Sequence, residues 1–153
     1  MTTDKKELAV AALRNGTVID HIPSDALFKC VKVLNLEEMD CTLTIGNNLA
    51  SKSAGTKGII KVADVFFPED VLNRIALIAP SAVINIINDY EVVEKRHVEI
   101  PAEIRGIVKC DNPKCITNNE PMVTVFETDP DKPGNIRCHY CNHSIDRNKA
   151  TIL

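Results

Sequence analysis

Four cysteines in the last third of the chain constrain its fold more than any other feature. Cys110 and Cys115 are separated by four residues, Cys138 and Cys141 by two, and 22 residues lie between the pairs. Each pair forms a knuckle, a tight turn that can point two thiolates at one ion. Two knuckles complete a tetrahedron of soft ligands, which suits zinc. The spacing therefore predicts one zinc ion held by these four thiolates.

The zinc site is predicted to be structural and not catalytic. Four protein ligands leave no open position for the water molecule that a catalytic zinc requires. Residues 102–153 contain short apolar pairs separated by turn residues and few large apolar side chains. A domain this small needs folding energy from its metal. The sequence therefore predicts a small all-β zinc-binding domain over residues 102–153.

Other interpretations of the cysteines stay open. A rubredoxin-type iron site uses the same ligands, although its usual form has two-residue spacers in both knuckles. His139 or His143, close to the second knuckle, could replace a thiolate. Four unrelated buried cysteines are the simplest alternative, which the doubled spacing disfavours. Cys30 and Cys41 lack partners at metal spacing and are predicted to be small core residues.

Residues 1–101 alternate between strand and helix signals. β-Branched and apolar segments predict strands at residues 17–22, 42–45, 58–62 and 82–93, the last broken near residue 88. The polar, glycine-containing stretch 46–55 predicts a loop.

Two helices are predicted between these strands. The first covers about three turns, and its apolar stripe is Leu27, Cys30, Val31 and Leu34. The second lies between Pro68 and Pro80, and its stripe is Val71, Leu72, Ile75 and Ile78. This element order predicts an α+β fold, a ferredoxin-like βαββαβ sandwich with both helices on one face of an antiparallel sheet. A change of composition near Pro101 predicts two domains, 1–101 and 102–153.

Charge disfavours a nucleic-acid-binding zinc ribbon, which is the first rival hypothesis. The net charge is −3, and residues 102–153 carry equal numbers of basic and acidic side chains. Nucleic-acid binders usually have a basic stripe and aromatic side chains for stacking. The chain has four phenylalanines, two tyrosines and no tryptophan, so it is poorly supplied for stacking.

The sequence has no signal for a membrane, export or catalysis. It contains no apolar run of about 18 residues and no apolar signal-peptide core near its N-terminus. We therefore expect a cytoplasmic protein with reduced thiols. The sequence lacks a phosphate-binding loop, a dinucleotide fingerprint and a nucleophile elbow. A free-standing enzyme with a ferredoxin-like domain is therefore a second, disfavoured rival.

Polar residues interrupt the apolar strands of the first domain. Asp20 and His21 lie in the first strand, Lys61 lies in the third, and Lys95 follows the last. Taken singly, each is better explained as a solvated residue on the outer sheet face. Asp20 and His21 are adjacent and are predicted to point to opposite faces. The two lysines could also bind phosphate as point charges, and the spacing leaves both explanations open.

Several motifs occur together and in a fixed order. They are GTVIDHIP at 16–23, Ala79-Pro80, Asn85-x-Ile-x-Asn88-x-Tyr90-Glu-Val-Val93, and the two knuckles with Ile116 and Tyr140. Together they resemble the regulatory chain of aspartate carbamoyltransferase, and the resemblance covers essentially the whole chain.

The resemblance implies a chain without catalytic activity of its own. It would regulate the enzyme that makes carbamoyl aspartate in pyrimidine synthesis. Its first domain would bind nucleoside triphosphates, with CTP as inhibitor and ATP as activator. Its zinc domain would dock on the catalytic chain. Regulatory chains would pair as homodimers through their first domains, and three such dimers would bridge two catalytic trimers.

The resemblance also implies a set of effector-binding residues. Base and ribose contacts fall on Val10, Ala12, Leu13, Asp20, Lys61, Ile87, Tyr90 and Val92. Phosphate contacts fall on His21 and Lys95, with Asn85 beside them. Their chemistry agrees, because Asp20 can accept hydrogen bonds from ribose hydroxyls. Lys95 and protonated His21 can neutralise triphosphate charge.

Overall fold

The structure is a computed structural model that describes residues 12–51 and 55–153. The chain divides into two compact units, a first that ends at Glu99 and a second from Ile100 to Leu153. Within the described residues, no helix is long and apolar enough to cross a membrane.

The first unit follows the predicted order of strands and helices. Its described elements are β1 (Gly16–Ile22), α1 (Leu27–Val33), β2 (Leu43–Ser51), β3 (Gly55–Ala63), α2 (Glu69–Asn73), β4 (Val83–Asn88) and β5 (Glu91–His97). Short 3₁₀ turns follow each helix, at Leu36–Glu38 and Arg74–Leu77. The strands form an antiparallel sheet in the order β2-β3-β1-β4-β5. The ferredoxin-like prediction is confirmed, because β2-β3-β1-β4 is the spatial order that this βαββαβ connection produces.

The core lies between one sheet face and the helices. Alternate residues of the central strands, such as Ile19, Ile60 and Ile84, are fully buried. They lie on the same face as Leu27 of α1 and Leu72 of α2, which are also fully buried. Each such side chain contributes about 1.5–3 kcal/mol through the apolar surface it removes from water. Among residues 12–51 and 55–99, no helix packs on the opposite face of the sheet.

Two strand predictions were wrong because of irregular backbone. Residues 46–51 belong to β2 and not to a loop. The β2–β3 register shifts between Gly46 and Leu49, and Asn48 has a φ of 58°. This β-bulge lets a polar, glycine-containing segment stay paired at the sheet edge.

The predicted last strand is in fact a hairpin. β4 and β5 are joined at Asp89 and Tyr90, whose φ values are 51° and 68°. Two consecutive positive φ values are typical of a tight hairpin turn, so β5 adds a fifth strand at the sheet edge. The first helix is also shorter than predicted, since α1 ends at Val33 and Asn35 adopts a φ of 54°.

The alternation of inward-facing and outward-facing side chains along β1 breaks after Asp20. The register with β3 shifts between Ile19 and Ile22, and both isoleucines are fully buried. His21, within the shift, has a φ of 57° and is exposed. The expectation that His21 faces away from Asp20 across a regular strand was therefore wrong, because the bulge gives the inward position to Ile22.

The second unit is all-β, as predicted. Its strands are β6 (Glu103–Arg105), β7 (Val108–Lys109), β8 (Val125–Thr128), β9 (Asn135–Cys138), β10 (Ser144–Asp146) and β11 (Thr151–Ile152). Strands β10-β9-β8-β6 form one sheet, and β11-β7 form a separate two-stranded sheet. Phe126, Ile104 and Ile136 are the large apolar side chains buried most completely here. Such a core is small for an independent domain.

A buried carboxylate ties the loop after β8 to β10. Ser144 Oγ donates to Asp129 Oδ2 at 2.6 Å, and the Asp131 N–H donates to Asp129 Oδ1 at 2.9 Å. These hydrogen bonds hold the pKa of Asp129 below its usual value. Asn135 Nδ2 donates to the same Ser144 hydroxyl at 3.0 Å. The β9–β10 hairpin, which carries the second knuckle, is therefore tied to the loop that follows β8.

Candidate functional sites

The four cysteines of the two knuckles lie together in the second unit. Their Sγ atoms are all within 4.8 Å of one another. The Sγ atoms of Cys110 and Cys141 are 3.6 Å apart, and those of Cys115 and Cys138 are 3.7 Å apart. Ideal tetrahedral geometry with Zn–S bonds of about 2.3 Å places the sulfur atoms about 3.8 Å apart. The four donors therefore fit one tetrahedral zinc ion.

The backbone turns each knuckle so that its sulfur atoms converge. Cys138 ends β9, and its N–H donates to the carbonyl of His143 at 2.9 Å. The N–H of Asn142, which has a φ of 63°, donates back to Cys138 O at 2.9 Å. In the first knuckle, Asn118 Nδ2 donates to the carbonyl of Cys110 at 2.8 Å. Both turns are thus fixed by hydrogen bonds outside the sulfur cluster.

Electrostatics favour a cation at the centre of the cluster. Burial raises the pKa of the Cys110 and Cys138 thiols, since it disfavours a thiolate without compensating charge. Burial also opposes ionisation of Cys115, but hydrogen bonds from Thr117 and the neighbouring thiols lower its pKa to about 7. The hydroxyl of Thr117 lies 3.1 Å from Cys115 Sγ. A divalent cation would stabilise all four thiolates, and its binding would release protons.

The nearby histidines face acidic side chains. His143 Nε2 lies 2.6 Å from Asp111 Oδ1, and His139 Nδ1 lies 3.5 Å from Glu127 Oε1. Neither histidine belongs to the metal-compatible group found among the described residues, which consists of the four cysteines. The geometry therefore favours four thiolates over a mixed set of ligands. Outside this group, Cys30 is buried and Cys41 is half-buried.

A row of side chains crosses the outer face of the first unit's sheet. Thr44, Lys61, Val18, Asn85 and Lys95 are opposite one another on successive strands, in that order. Directly opposite residues of antiparallel strands point to the same face. Their neighbours along β1 and β3 are the buried core residues, so the row faces away from the helices. Sheet register thus brings Lys61, Asn85 and Lys95 onto one surface.

Asp20 lies on the same face, one position further along. It is opposite Val83, and its Oδ1 accepts hydrogen bonds from Lys57 Nζ at 2.9 Å and from the His21 N–H at 2.7 Å. Burial raises its pKa, but these hydrogen bonds and the Lys57 charge outweigh burial and lower the pKa of Asp20 below its usual value. Partial burial lowers the pKa of Lys61, and the Asp20 charge opposes that shift. Asp20 is therefore an ionised acceptor at neutral pH.

On the side of the row away from Asp20, where β1 begins and β3 and β4 end, three segments meet. The N–H of Tyr90 donates to the carbonyl of Arg14 at 2.9 Å, and the N–H of Asp89 donates to Asn15 Oδ1 at 3.0 Å. The N–H of Asp64 donates to Asn15 O at 2.9 Å. This end of the sheet therefore holds the chain around residue 14 next to the β4–β5 turn.

The remaining candidate residues occupy this same end. Ile87 is opposite both Gly16 and Val92, and a Leu13 methyl group lies 3.1 Å from the position that a Cβ atom of residue 16 would take. Ala12, Tyr90 and Val92 are exposed. Val10 lies outside the described residues. The structure thus groups Leu13, Ile87, Tyr90 and Val92 as an apolar end beside the polar row.

Asn85, within the row, has a side-chain oxygen that accepts no hydrogen bond from the described residues. Its Oδ1 atom is buried and has no hydrogen-bond partner among the residues that the structure describes. A buried amide oxygen without a donor is destabilising by about 1–3 kcal/mol. A ligand on this face that donates one hydrogen bond would remove that cost.

Sequence reasoning missed Lys57 and the cavity beside it. A cavity of about 600 Å³ opens next to the Asp20–Lys57 pair, lined by His21, Ile22, Pro23, Ser24, Asp25, Ser51, Thr56, Lys57 and Ser81. Lys57 is four residues before Lys61, and a spacing of four along a strand places both on one face. That spacing was the available signal. His21 and Ile22, at the β1 register shift, line the cavity, and the sequence pattern does not reveal that shift.

Comparison with known proteins agrees with this geometry. Residues 8–99 match the family model described as "Aspartate carbamoyltransferase regulatory chain, allosteric domain". Residues 102–151 match the model described as "Aspartate carbamoyltransferase regulatory chain, metal binding domain". The two matched segments contain the outer-face row and the four cysteines, respectively.

Relatives match over nearly their whole length. The chain is 57% identical to the aspartate carbamoyltransferase regulatory chain of Parabacteroides distasonis, over 97% of this chain and 96% of the relative. It is 56% identical to that of Bacteroides thetaiotaomicron, over 100% of both chains. It is 50% identical to that of Thermococcus sibiricus, over 94% of this chain and 95% of the relative. The chain therefore belongs to the family of aspartate carbamoyltransferase regulatory chains.

Proposed function

We propose that the chain is the non-catalytic, allosteric regulatory subunit of an aspartate carbamoyltransferase and acts in the cytoplasm. Its first domain, residues 1–101, binds nucleoside triphosphates. Its second domain, residues 102–153, binds one structural zinc ion and docks on the catalytic chain. The observation that carries the nucleotide proposal is the sheet register, which supports convergence of Lys61, Asn85 and Lys95 beside Asp20.

Each part of a nucleotide finds matching chemistry on this face. The ionised Asp20 carboxylate accepts hydrogen bonds from ribose hydroxyls, with Lys61 close by. Lys95 and His21 contact the phosphates, and Lys57 adds a further cation that is already held at the Asp20 carboxylate. Backbone groups of Val10, Ala12 and Leu13 and of the β4–β5 turn read the base edge. The effectors are CTP, which inhibits, and ATP, which activates.

The Lys95→Ala substitution tests the phosphate role. We expect the isolated chain to lose affinity for CTP by roughly ten- to hundredfold, because a charge-assisted contact contributes about 1.5–3 kcal/mol. Affinity for cytidine should change far less, since cytidine has no phosphate. Calorimetry of both ligands measures this, with Lys29→Ala as the control because Lys29 is an exposed lysine of α1.

The same variant tests whether CTP and ATP share a site. In assembled enzyme, Lys95→Ala should weaken inhibition and activation together, while the maximal rate at saturating aspartate stays nearly unchanged. Loss of one response with the other at full strength would refute a shared site. Equal losses for CTP and cytidine would show that Lys95 does not contact phosphate.

Regulation requires that each nucleotide bind two states of the assembly with different affinity. Because the chain itself catalyses nothing, a nucleotide bound to it can change the catalytic rate only by shifting the equilibrium between these states. CTP and ATP differ in the size of their bases. The base contacts the apolar end around Leu13, Ile87 and Tyr90, where a purine and a pyrimidine fit differently. The regulatory chains form homodimers through their first domains, and three dimers bridge two catalytic trimers.

Exposed apolar side chains support docking by the zinc domain. Ile116 is 46% exposed, Val123 is 56% exposed and Tyr140 is 41% exposed. Contiguous apolar surface is typical of protein interaction sites, and in this proposal the three side chains contribute to such a surface. Ile116 directly follows Cys115, and Tyr140 lies between Cys138 and Cys141. The metal therefore fixes the backbone that presents two of these side chains.

Zinc removal is expected to dissociate the complex with the catalytic chain, because the docking surface is built on the knuckles. The measurement is sedimentation of assembled enzyme before and after treatment with a thiol-reactive mercurial and chelator. Re-addition of zinc under reducing conditions is the control and should restore the sedimentation rate. A complex that stays intact after losing its zinc would contradict this docking role.

A further inference from the structure

The two knuckles stand on different sheets. Cys138 and Cys141 belong to the turn of the β9–β10 hairpin in the larger sheet of the second unit. Cys110 directly follows β7, which belongs to the separate sheet with β11. The backbone hydrogen bonds of the larger sheet, which fix the second knuckle, therefore do not extend to the first knuckle.

The last residues of the chain connect the two knuckles. From the second knuckle the chain runs through β10 into the 3₁₀ turn Arg147–Lys149, where Asp146 Oδ1 accepts a hydrogen bond from the Asn148 N–H at 2.9 Å. It then enters β11, where Thr151 is opposite Lys109.

The C-terminal residue extends this pairing. The Leu153 N–H donates to the carbonyl of Ile107 at 2.8 Å, and Ile152 is opposite Val108. Val108 is fully buried, so the position of β7 is defined by packing as well as by the ladder. The segment that follows the second knuckle is thereby joined, through β11, to the strand that leads into the first knuckle.

We propose that Thr151–Leu153 form a clasp that holds the two knuckles at metal-binding distance and slows release of the ion. The proposal rests on the zinc centre proposed above. Opening of the centre requires Cys110 to move away from Cys138 and Cys141, and β7 must move with Cys110. Pairing with β11 opposes that movement. Interactions just outside a metal's ligands typically change its affinity by about 10–100-fold.

The test is the rate at which zinc passes from the purified full-length chain to an excess of a chromophoric chelator. Deletion of residues 151–153 should accelerate transfer by about tenfold or more. Leu153→Pro keeps the chain length but removes the N–H that donates to Ile107, and it should accelerate transfer by about two- to tenfold. Leu153→Ala keeps that N–H and removes a side chain that is 55% exposed, so its rate should match the unmodified chain.

A second control separates the clasp from general destabilisation. Ile104→Val trims a fully buried side chain of β6 and lowers the melting temperature without altering the β7–β11 pair. At an equal loss in melting temperature, Leu153→Pro should release zinc faster than Ile104→Val. Equal zinc-release rates for these two variants would mean that release follows the overall stability of the unit and not the β7–β11 pairing, and would overturn the proposal.

The remaining outcomes are also decisive. If the deletion variant fails to retain zinc, the Leu153→Pro rate decides, and a rate equal to that of the unmodified chain overturns the clasp. If both variants release zinc at the unmodified rate, the clasp is wrong while the zinc centre stands. If the unmodified chain carries no stoichiometric zinc, the zinc centre itself fails, and the clasp fails with it.

Discussion

Replacing Cys138 by serine is expected to lower the zinc affinity of the chain by several orders of magnitude and to leave the second unit unfolded at neutral pH. A structural zinc site contributes apparent binding free energies of about 10–16 kcal/mol, and this energy is folding energy for a small domain. Serine supplies a neutral hydroxyl in place of a soft thiolate, so one of four bonds is lost. The buried core of the second unit is too small to compensate.

The measurements are zinc content per chain and amide hydrogen exchange resolved along the sequence. Exchange should become fast over residues 102–153 and remain slow in β1, β3 and β4. Cys41→Ser is the matched control, because Cys41 is a half-buried cysteine outside the cluster, and this variant should keep one zinc. A Cys138→Ser chain that still binds one zinc tightly and protects its second unit would rule out the four-thiolate site.

The fold was predictable where one local pattern decides the structure. Spacing alone identified the two knuckles, because a tight turn and a tetrahedral ion restrict where the thiolates can lie. Periodicity alone identified the buried side of α1 through Leu27, Cys30 and Leu34, since apolar side chains must leave water on one face. These features need no knowledge of the neighbouring strands.

Bulges were the part that periodicity missed. Register shifts occur at Ile19/Ile22, Gly46/Leu49 and Ile86/Ile87, and each places one extra residue in a strand. A bulge reverses the inward and outward positions that follow it, and its location is set by the partner strand. His21 and the polar half of β2 were misjudged for this reason.

The candidate nucleotide site shows the same division between local and tertiary information. Asp20, Lys61 and Lys95 were each unremarkable as single polar residues on an outer face. Their convergence depends on the strand order β3-β1-β4-β5, which joins residues up to 77 positions apart in sequence, from Val18 to Lys95. Lys57 was missed because its partner, Asp20, belongs to the neighbouring strand.

Gly16→Ala is expected to destabilise the first unit by roughly 2–4 kcal/mol, the largest effect we expect from a single added methyl group. Gly16 has a φ of 140°, and a Cβ atom there would lie 2.1 Å from the carbonyl oxygen of Val62. That oxygen is backbone, so relief requires β1 and β3 to separate where Gly16 pairs with Ala63. Gly16 is also opposite Ile87 of β4, so the apolar end of the proposed nucleotide site would move as well.

A second glycine separates steric overlap from backbone strain. Gly55 has a φ of 79°, but no atom of the described residues lies within 4 Å of a Cβ placed there. Gly55→Ala should therefore carry only the left-handed strain of about 1–2 kcal/mol. Hydrogen exchange of β1 and β3 amides in both variants measures the difference, and CTP affinity should fall for Gly16→Ala while staying near the unmodified value for Gly55→Ala. If the two substitutions destabilised the unit equally, the close approach of β1 to Val62 would not be the reason for glycine at position 16.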